Sequence, residues 1–84
     1  MDLLFHDNGW EDYLYWQQVD KKMVRRTNAL IKEMRRTPEK GAGKPQRLKH
    51  GMSGMWSRRI DQEHRLVYTF SKTTLTIIAC RYHY

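Results

Sequence analysis

The segment HRLVYTFSKTTLTIIACRY, residues 64 to 82, decides the fold. Leu66, Tyr68 and Phe70 recur at every second position, which is the pattern of a half-buried β-strand. A second strand-like run follows the short connection at residues 71–73. Because such a short connection joins antiparallel neighbours, the segment predicts a hairpin of strands at 64–71 and 74–82.

Further strands are predicted upstream of this hairpin. Residues 46–50 and 55–60 form two of them, and the short connection at residues 61–62 joins the second to the hairpin. The apolar run MDLLFH at residues 1–6 predicts a first strand.

A first helix is predicted over residues 9–18. Asn8 is expected to cap it, with Glu11 as the reciprocal partner three residues later. Its large apolar residues at helical spacing are expected to pack in the core; they are Trp10, Tyr13, Leu14 and Trp16.

A second helix is predicted from Asp20 to about Arg36, ahead of Pro38. Its buried stripe is expected to comprise Met23, Thr27, Leu30, Ile31 and Met34. Helices followed by hairpin-linked strands are typical of the α+β class. We therefore expect one domain over residues 1–84, with two N-terminal helices on one face of a twisted antiparallel sheet.

Charge is distributed unevenly along the chain. The first 20 residues contain five acidic groups and no Lys or Arg, which gives −5. Residues 21–84 contain all 16 basic groups and four acidic ones, which gives +12. This asymmetry favours a polyanionic partner, such as nucleic acid or an acidic protein. A basic soluble surface without such a partner has the same composition.

The composition argues against several classes of protein. The apolar runs are too short for a membrane-spanning helix, and we expect no secretory signal. The single cysteine, Cys80, cannot form an internal disulfide, and no Cys/His spacing matches a zinc site. We therefore expect a cytoplasmic protein without a metal or other cofactor.

The sheet face that the helices leave uncovered is predicted to bear the function. The polar strand residues expected there are Lys49, Arg58 or Arg59, Arg65, Arg81 and His83. Guanidinium groups bind phosphate and stabilise a phosphorane, and a histidine titrates near neutral pH. Since RNA supplies its own nucleophile, the 2′-OH, this set favours metal-free RNA cleavage. Basic residues with one histidine also describe RNA binders without activity.

Distinctive strings occur along the whole chain. They are WEDYLYWQ at 10–17, GKP at 43–45, LKH at 48–50, SG at 53–54, WSRRI at 56–60, EHRLVY at 63–68 and CRYHY at 80–84. Together they resemble the YoeB toxins, which belong to the broader RelE-like toxins. The resemblance covers essentially the full length without gaps.

This resemblance implies a microbial RNase fold that cleaves mRNA in the ribosomal A site by 2′-OH attack. The products would carry a 2′,3′-cyclic phosphate or a 3′-phosphate. It also implies a homodimer and a YefM-like antitoxin, with operator DNA bound only by the toxin–antitoxin complex. A disordered acidic antitoxin segment is expected to bind the second helix and the basic groove.

The resemblance also assigns roles to individual residues. Arg65 matches the family's transition-state arginine, His83 its general acid, and Tyr84 the residue that orients the substrate and site. The expected phosphate-binding residues are Lys49, Arg59 and Arg58.

Position 46 departs from the family pattern. The family's general base is a glutamate in GKPEPL, whereas this chain reads GKPQRL and has Gln46 there. A neutral amide does not accept a proton at pH 7 as a carboxylate does. Three interpretations are open: a slow enzyme, an attenuated site, or another base among Glu63, His50 and His83. We expect a weakened or re-routed endoribonuclease; the alternative is a catalytically silent ribosome- or antitoxin-binding module.

Overall fold

Two helices and five strands make up the fold in the computed structural model, which describes residues 1–49, 51 and 54–82. In chain order they are β1 (Asp2–Phe5), α1 (Asp7–Val19), α2 (Lys21–Met34), β2 (Gln46–Arg47), β3 (Trp56–Arg59), β4 (Arg65–Phe70) and β5 (Thr74–Ala79). The predicted α+β class is confirmed. No helix in the described ranges is both long enough and apolar enough to cross a membrane.

The strand order in the sheet is β1-β5-β4-β3-β2. Strands β2 to β5 pair antiparallel with their neighbours, but β1 pairs parallel with β5. The sheet is therefore mixed, and the prediction of a purely antiparallel sheet was wrong. An apolar run does not reveal strand direction, and the long connection between β1 and β5 permits a parallel pair.

Helix α2 forms as its sequence pattern predicts. The Asp20 side chain accepts hydrogen bonds from the amides of Lys22 (3.0 Å) and Met23 (3.3 Å), which caps the helix. The helix ends at Met34, slightly before the expected position. The whole predicted stripe is buried against the sheet; it comprises Met23, Thr27, Leu30, Ile31 and Met34.

Helix α1 begins earlier than its capping pattern predicts. His6 occupies the N-cap position without a side-chain bond to the helix, so the expected Asn8 cap was wrong. The backbone amide of His6 donates to the Ile77 carbonyl at 2.9 Å, which ties the start of the helix to β5. At Gly9 a Cβ would lie 2.5 Å from the same Ile77 oxygen. Contact with the sheet therefore sets where this helix starts.

The apolar residues of α1 divide between core and surface. Trp16 is buried, as expected, whereas Trp10 and Leu14 stay exposed. One helix turns only part of its circumference to the sheet, and α2 fills most of the remaining core.

Arg58 lies on the helix-covered face, fully buried, and all five of its N–H donors are used. Its acceptors, which with Arg58 form what we call the Arg58 cluster, are the Tyr68 hydroxyl (3.2 Å), the Glu33 carboxylate (2.6 Å), and the carbonyls of Ala42 (3.2 Å), Thr37 (2.7 Å) and Lys40 (2.8 Å). The expectation that Arg58 binds phosphate therefore does not hold. It instead joins α2, the sheet and the loop that leads to β2.

The Arg58 cluster should contribute strongly to stability. In the Arg58→Met variant, Glu33 and three carbonyls lose their hydrogen bonds to Arg58, and we expect the free energy of unfolding to fall by about 3 kcal/mol. Urea denaturation measures this change. The matched control is Arg59→Met, at the exposed neighbouring position, which should leave the free energy of unfolding the same or raise it by up to about 1 kcal/mol. Equal losses in both variants would contradict the assignment.

Candidate functional site

The open face of the sheet brings three predicted site residues together. Arg59 lies opposite Arg65 across β3 and β4, and Gln46 lies opposite Ser57 across β2 and β3. Because side chains alternate along a strand, Ser57 and Arg59 point to the same face, and so do their partners. Strand spacings place the Cα of Gln46 about 8 Å from that of Arg59 and about 12 Å from that of Arg65. Long side chains can converge over such distances.

Arg59 and Arg65 form a like-charged pair in register. Arg59 is exposed, and Arg65 is half-buried. The Arg65 guanidinium donates to the carbonyls of Asp61 (3.0 Å) and His64 (3.2 Å), which fixes its direction. Like charges directly opposite each other destabilise a sheet, whereas two neighbouring guanidinium groups suit an oxyanion. This pair is the best candidate for holding a phosphate.

The loop before β2 is pressed against β3 and positions Gln46. The Arg59 amide donates to the Gly43 carbonyl at 2.6 Å. Gly43 has a φ of 81°, and a Cβ there would lie 2.8 Å from the Arg59 carbonyl oxygen, so only glycine fits. Lys44 follows with a φ of 53°, which is rare for a residue with a side chain. Lys49, just beyond β2, is exposed.

Cys80, the first residue after β5, is held by side chains of α1. Asp12 accepts a hydrogen bond from the Cys80 amide (3.0 Å), and the Trp16 indole donates to the Cys80 carbonyl (2.7 Å). Burial, with the nearby Asp12 charge, raises the pKa of the Cys80 thiol to about 12. Cys80 is therefore a buried neutral thiol at pH 7 and no candidate nucleophile.

Tyr82 is the last described residue, and both of its backbone polar groups are bonded. Its amide donates to Nδ1 of His64 at 2.7 Å, and its carbonyl accepts from the Arg65 amide at 2.7 Å. The chain therefore leaves Tyr82 beside Arg65. His83 and Tyr84, like His50, lie outside the described residues, so their roles stay predictions.

The position of Arg81 and the contact between His64 and Tyr82 were not predicted from the sequence. Arg81 was expected on the open face, but its guanidinium lies 3.6 Å from the ring centroid of Tyr15 on α1. Because β5 ends at Ala79, Arg81 lies outside the strand, and the alternation on which the prediction relied does not set its direction. The contact between His64 and Tyr82 was missed because it joins distant parts of the chain and leaves no local pattern.

A cleft of about 540 Å³ lies elsewhere, between β1 and the helices. Its floor is apolar and includes Leu3, Phe5 and Ile31. Lys32 of α2 and Arg36, two residues after the end of that helix, line it as well, so it combines apolar area with positive charge.

Comparison with known proteins gives a consistent result. The sequence profile described as "YoeB-like toxin of bacterial type II toxin-antitoxin system" matches residues 5–84. Toxin YoeB of Escherichia coli (strain K12) is 57% identical over 84 residues, which cover all of both chains. A YoeB dimer structure from Staphylococcus aureus superposes with a TM-score of 0.93 at 46% identity, covering 100% of this chain and 98% of that one. A heterotetrameric YoeB–YefM toxin–antitoxin complex from the same organism gives 0.91 at 46% identity, with the same coverage.

Removing Arg59 should weaken RNA binding without lowering the stability of the fold. In Arg59→Thr the repulsion is gone, so the free energy of unfolding should stay the same or rise by up to about 1 kcal/mol. The slope of log affinity for single-stranded RNA against log salt should shrink by about 0.7. Urea titration and fluorescence anisotropy at several salt concentrations measure the two effects.

The control is Lys72→Thr at the exposed turn between β4 and β5, which makes the same charge change away from the pair. If Lys72→Thr alters the salt slope as much as Arg59→Thr does, the open face is not the binding surface.

Proposed function

The chain belongs to the YoeB-like toxins of bacterial type II toxin–antitoxin systems, and from this premise we propose that it is a ribosome-dependent mRNA endoribonuclease. It cuts mRNA in the ribosomal A site through attack of the RNA 2′-OH, without a metal, and so inhibits translation. The observation that supports this proposal most is the in-register pair of Arg59 and Arg65 on the open sheet face.

The two arginines share the work on the phosphate. Arg65 stabilises the charge that develops on the phosphorane, because its guanidinium is already oriented by backbone carbonyls. Arg59 and Lys49, which are exposed, bind and orient the RNA backbone. Such electrostatic preorganisation does not depend on a general base.

The last two residues complete the proposed site. His83 donates a proton to the leaving 5′-oxygen, and Tyr84 orients the substrate. The hydrogen bond between the Tyr82 carbonyl and the Arg65 amide supports this assignment, since His83 is the next residue after Tyr82.

Gln46 takes the position of the expected base but cannot accept the 2′-OH proton as a carboxylate does. It holds the 2′-OH by a hydrogen bond, and the reaction is slower than with a glutamate. Glu63 is the described alternative base; it is exposed in the hairpin next to Arg65. A silent ribosome- or antitoxin-binding protein remains the second candidate function, favoured by Gln46 alone.

The Gln46→Glu variant tests the role of this position. Restoring a general base should raise the single-turnover cleavage rate by about 10²- to 10⁴-fold. Programmed ribosomes and mapping of new 3′ ends measure the rate. Gln46→Met, of similar size but without a carboxylate, is the matched control and should not accelerate cleavage. A 2′-deoxy nucleotide at the cut site should abolish cleavage and leave binding intact.

The outcomes separate the two candidate functions. Cleavage by Gln46→Glu with a silent wild type would favour the binding module for the natural chain. Absence of cuts with both proteins would contradict the nuclease proposal. Equal rates in the wild type and in the Gln46→Glu variant would show that another group is the base.

Two partners are proposed from the relatives. The Staphylococcus aureus toxin forms a dimer and a heterotetramer with YefM, and we propose a homodimer and a YefM-like antitoxin for this chain. Operator DNA is bound only by the toxin–antitoxin complex. The cleft next to α2 suits an acidic amphipathic antitoxin segment, because Lys32 and Arg36 border an apolar floor.

Charge reversal at this cleft tests the antitoxin surface. The Lys32→Glu/Arg36→Glu variant should associate with its antitoxin about tenfold more slowly at low salt, because rim charges steer association. Surface plasmon resonance measures the rate constants. Lys22→Glu/Arg26→Glu, in α2 but outside the cleft, is the matched control. An equal slowing in both pairs would mean that net charge, and not this cleft, attracts the antitoxin.

A further inference from the structure

The chain between the end of β5 and the last two residues is bonded at alternate residues. Cys80 is bonded through Asp12 and Trp16, and Tyr82 through His64 and the Arg65 amide. Of the described site residues, Arg65 adjoins this segment directly. The segment therefore has a defined path at the point where it reaches the proposed site.

We propose that His64 is a positioning residue for the cleavage reaction, because its Nδ1 fixes Tyr82 and so sets the direction in which the chain continues to His83. This inference rests on the proposed function. It assigns to His64 a role distinct from that of the arginines, since its ring is directed at the protein backbone and not at a substrate.

His64 is itself held rigidly. It is 9% exposed, and its ring packs edge-on against Trp16 with 4.7 Å between the ring centroids. Its amide donates to the Asp61 carboxylate at 2.7 Å, and its carbonyl accepts from the Ile60 amide at 2.9 Å. Because both the backbone of His64 and the face of its ring are held, Nδ1 keeps a fixed position for the hydrogen bond to Tyr82.

The hydrogen bond defines the chemical state of His64. Because the Tyr82 amide is the donor, Nδ1 accepts with its lone pair, and the proton of the neutral ring is on Nε2. The Glu63 carboxylate lies 3.6 Å from Nε2, which is beyond hydrogen-bond distance. Because the Nδ1 lone pair accepts the hydrogen bond from the Tyr82 amide, His64 acts by orienting the backbone of Tyr82.

Tyr82 adopts a backbone conformation that needs such support. Its φ is 63°, in the left-handed region that residues with a Cβ avoid. Sparsely populated conformations persist where surrounding bonds determine them, and they are frequent at functional sites. A return of Tyr82 to an ordinary φ would change the direction in which the chain leaves this residue.

Burial of Tyr82 does not account for this arrangement. Its side chain is 57% exposed, so fixing it adds little to the core. The bonds from His64 and Arg65 stabilise a local direction of the chain and not a buried residue. The residue that benefits from this direction is the proposed general acid, His83.

Two substitutions separate the acceptor from the packing of the ring. In His64→Asn, Oδ1 lies the same number of bonds from Cα as Nδ1 and can accept from Tyr82. In His64→Leu, the volume is similar but no acceptor remains. Both are made in the full chain, alone and combined with Gln46→Glu. If His64→Leu unfolds at the assay temperature, His64→Gln replaces it, because its amide lies one bond too far from Cα.

The first measurement does not depend on activity. In the ¹⁵N-labelled chain, a scalar coupling across the N–H···N bond should connect the Tyr82 amide with Nδ1 of His64. The heteronuclear NOE of Tyr82 should be high in the wild type and in His64→Asn, and low in His64→Leu. A high NOE in His64→Leu would overturn the inference.

The second measurement is single-turnover cleavage on programmed ribosomes, with ribosome affinity determined in parallel. A displaced catalytic group should slow cleavage by about 10²-fold in His64→Leu and leave ribosome affinity within about twofold. His64→Asn should recover most of the rate. A merely structural role would instead lower the melting temperature of both variants without separating their rates.

The two measurements distinguish failure of this inference from failure of the proposed function. A lower NOE with an unchanged cleavage rate would overturn the positioning role. Absence of cleavage in every variant, including those with Gln46→Glu, would refute the nuclease. In that case the NOE values alone would decide whether His64 fixes the chain at Tyr82.

Discussion

The fold depends on a single buried guanidinium group. Arg58 binds the helix through Glu33, the sheet through Tyr68 and the connecting loop through three carbonyls. Hydrogen bonds from the Ala42 amide, which has the larger effect, and from Arg58 lower the pKa of Glu33, so the carboxylate stays charged at neutral pH. These bonds hold the loop between α2 and β2, which has few apolar residues, in one conformation. That path ends in the glycine contact that sets the position of Gln46.

The neighbouring residues Arg58 and Arg59 show how alternation divides structure from function. One side chain points into the core and has all its donors bonded, and the next points to the open face and stays exposed. The sheet thus separates a charge that stabilises the fold from a charge that is free for a partner. The pair with Arg65 on the open face is unfavourable in the absence of an anion, which is a common compromise between stability and function.

Much of the fold could be predicted from the sequence because it follows local periods. The stripe of α2, its start at Asp20 and the β4–β5 hairpin all depend on residues within a few positions of one another. The parallel partner of β1, the start of α1 and the direction of Arg81 depend on contacts between distant segments, and these predictions failed. The site residues divide in the same way. Strand alternation identifies Arg59 and Arg65, whereas His64 contacts a partner 18 residues away and is not identified by any local pattern. No local pattern distinguished Arg58 from Arg59, since strand boundaries decide which of two adjacent arginines faces the core.

The parallel pairing of β1 with β5 has a consequence for biosynthesis. Of the five described strands, β1 is synthesised earliest and β5 last, yet the two lie side by side, and β5 sits between β1 and β4 in the sheet. Neither β1 nor β4 can complete its pairing until β5 has emerged from the ribosome. Because β5 pairs with both of these strands, the complete five-stranded sheet cannot form on the nascent polypeptide before β5 has emerged. The complete sheet that supports the Arg59–Arg65 pair therefore forms only after β5 has left the ribosome.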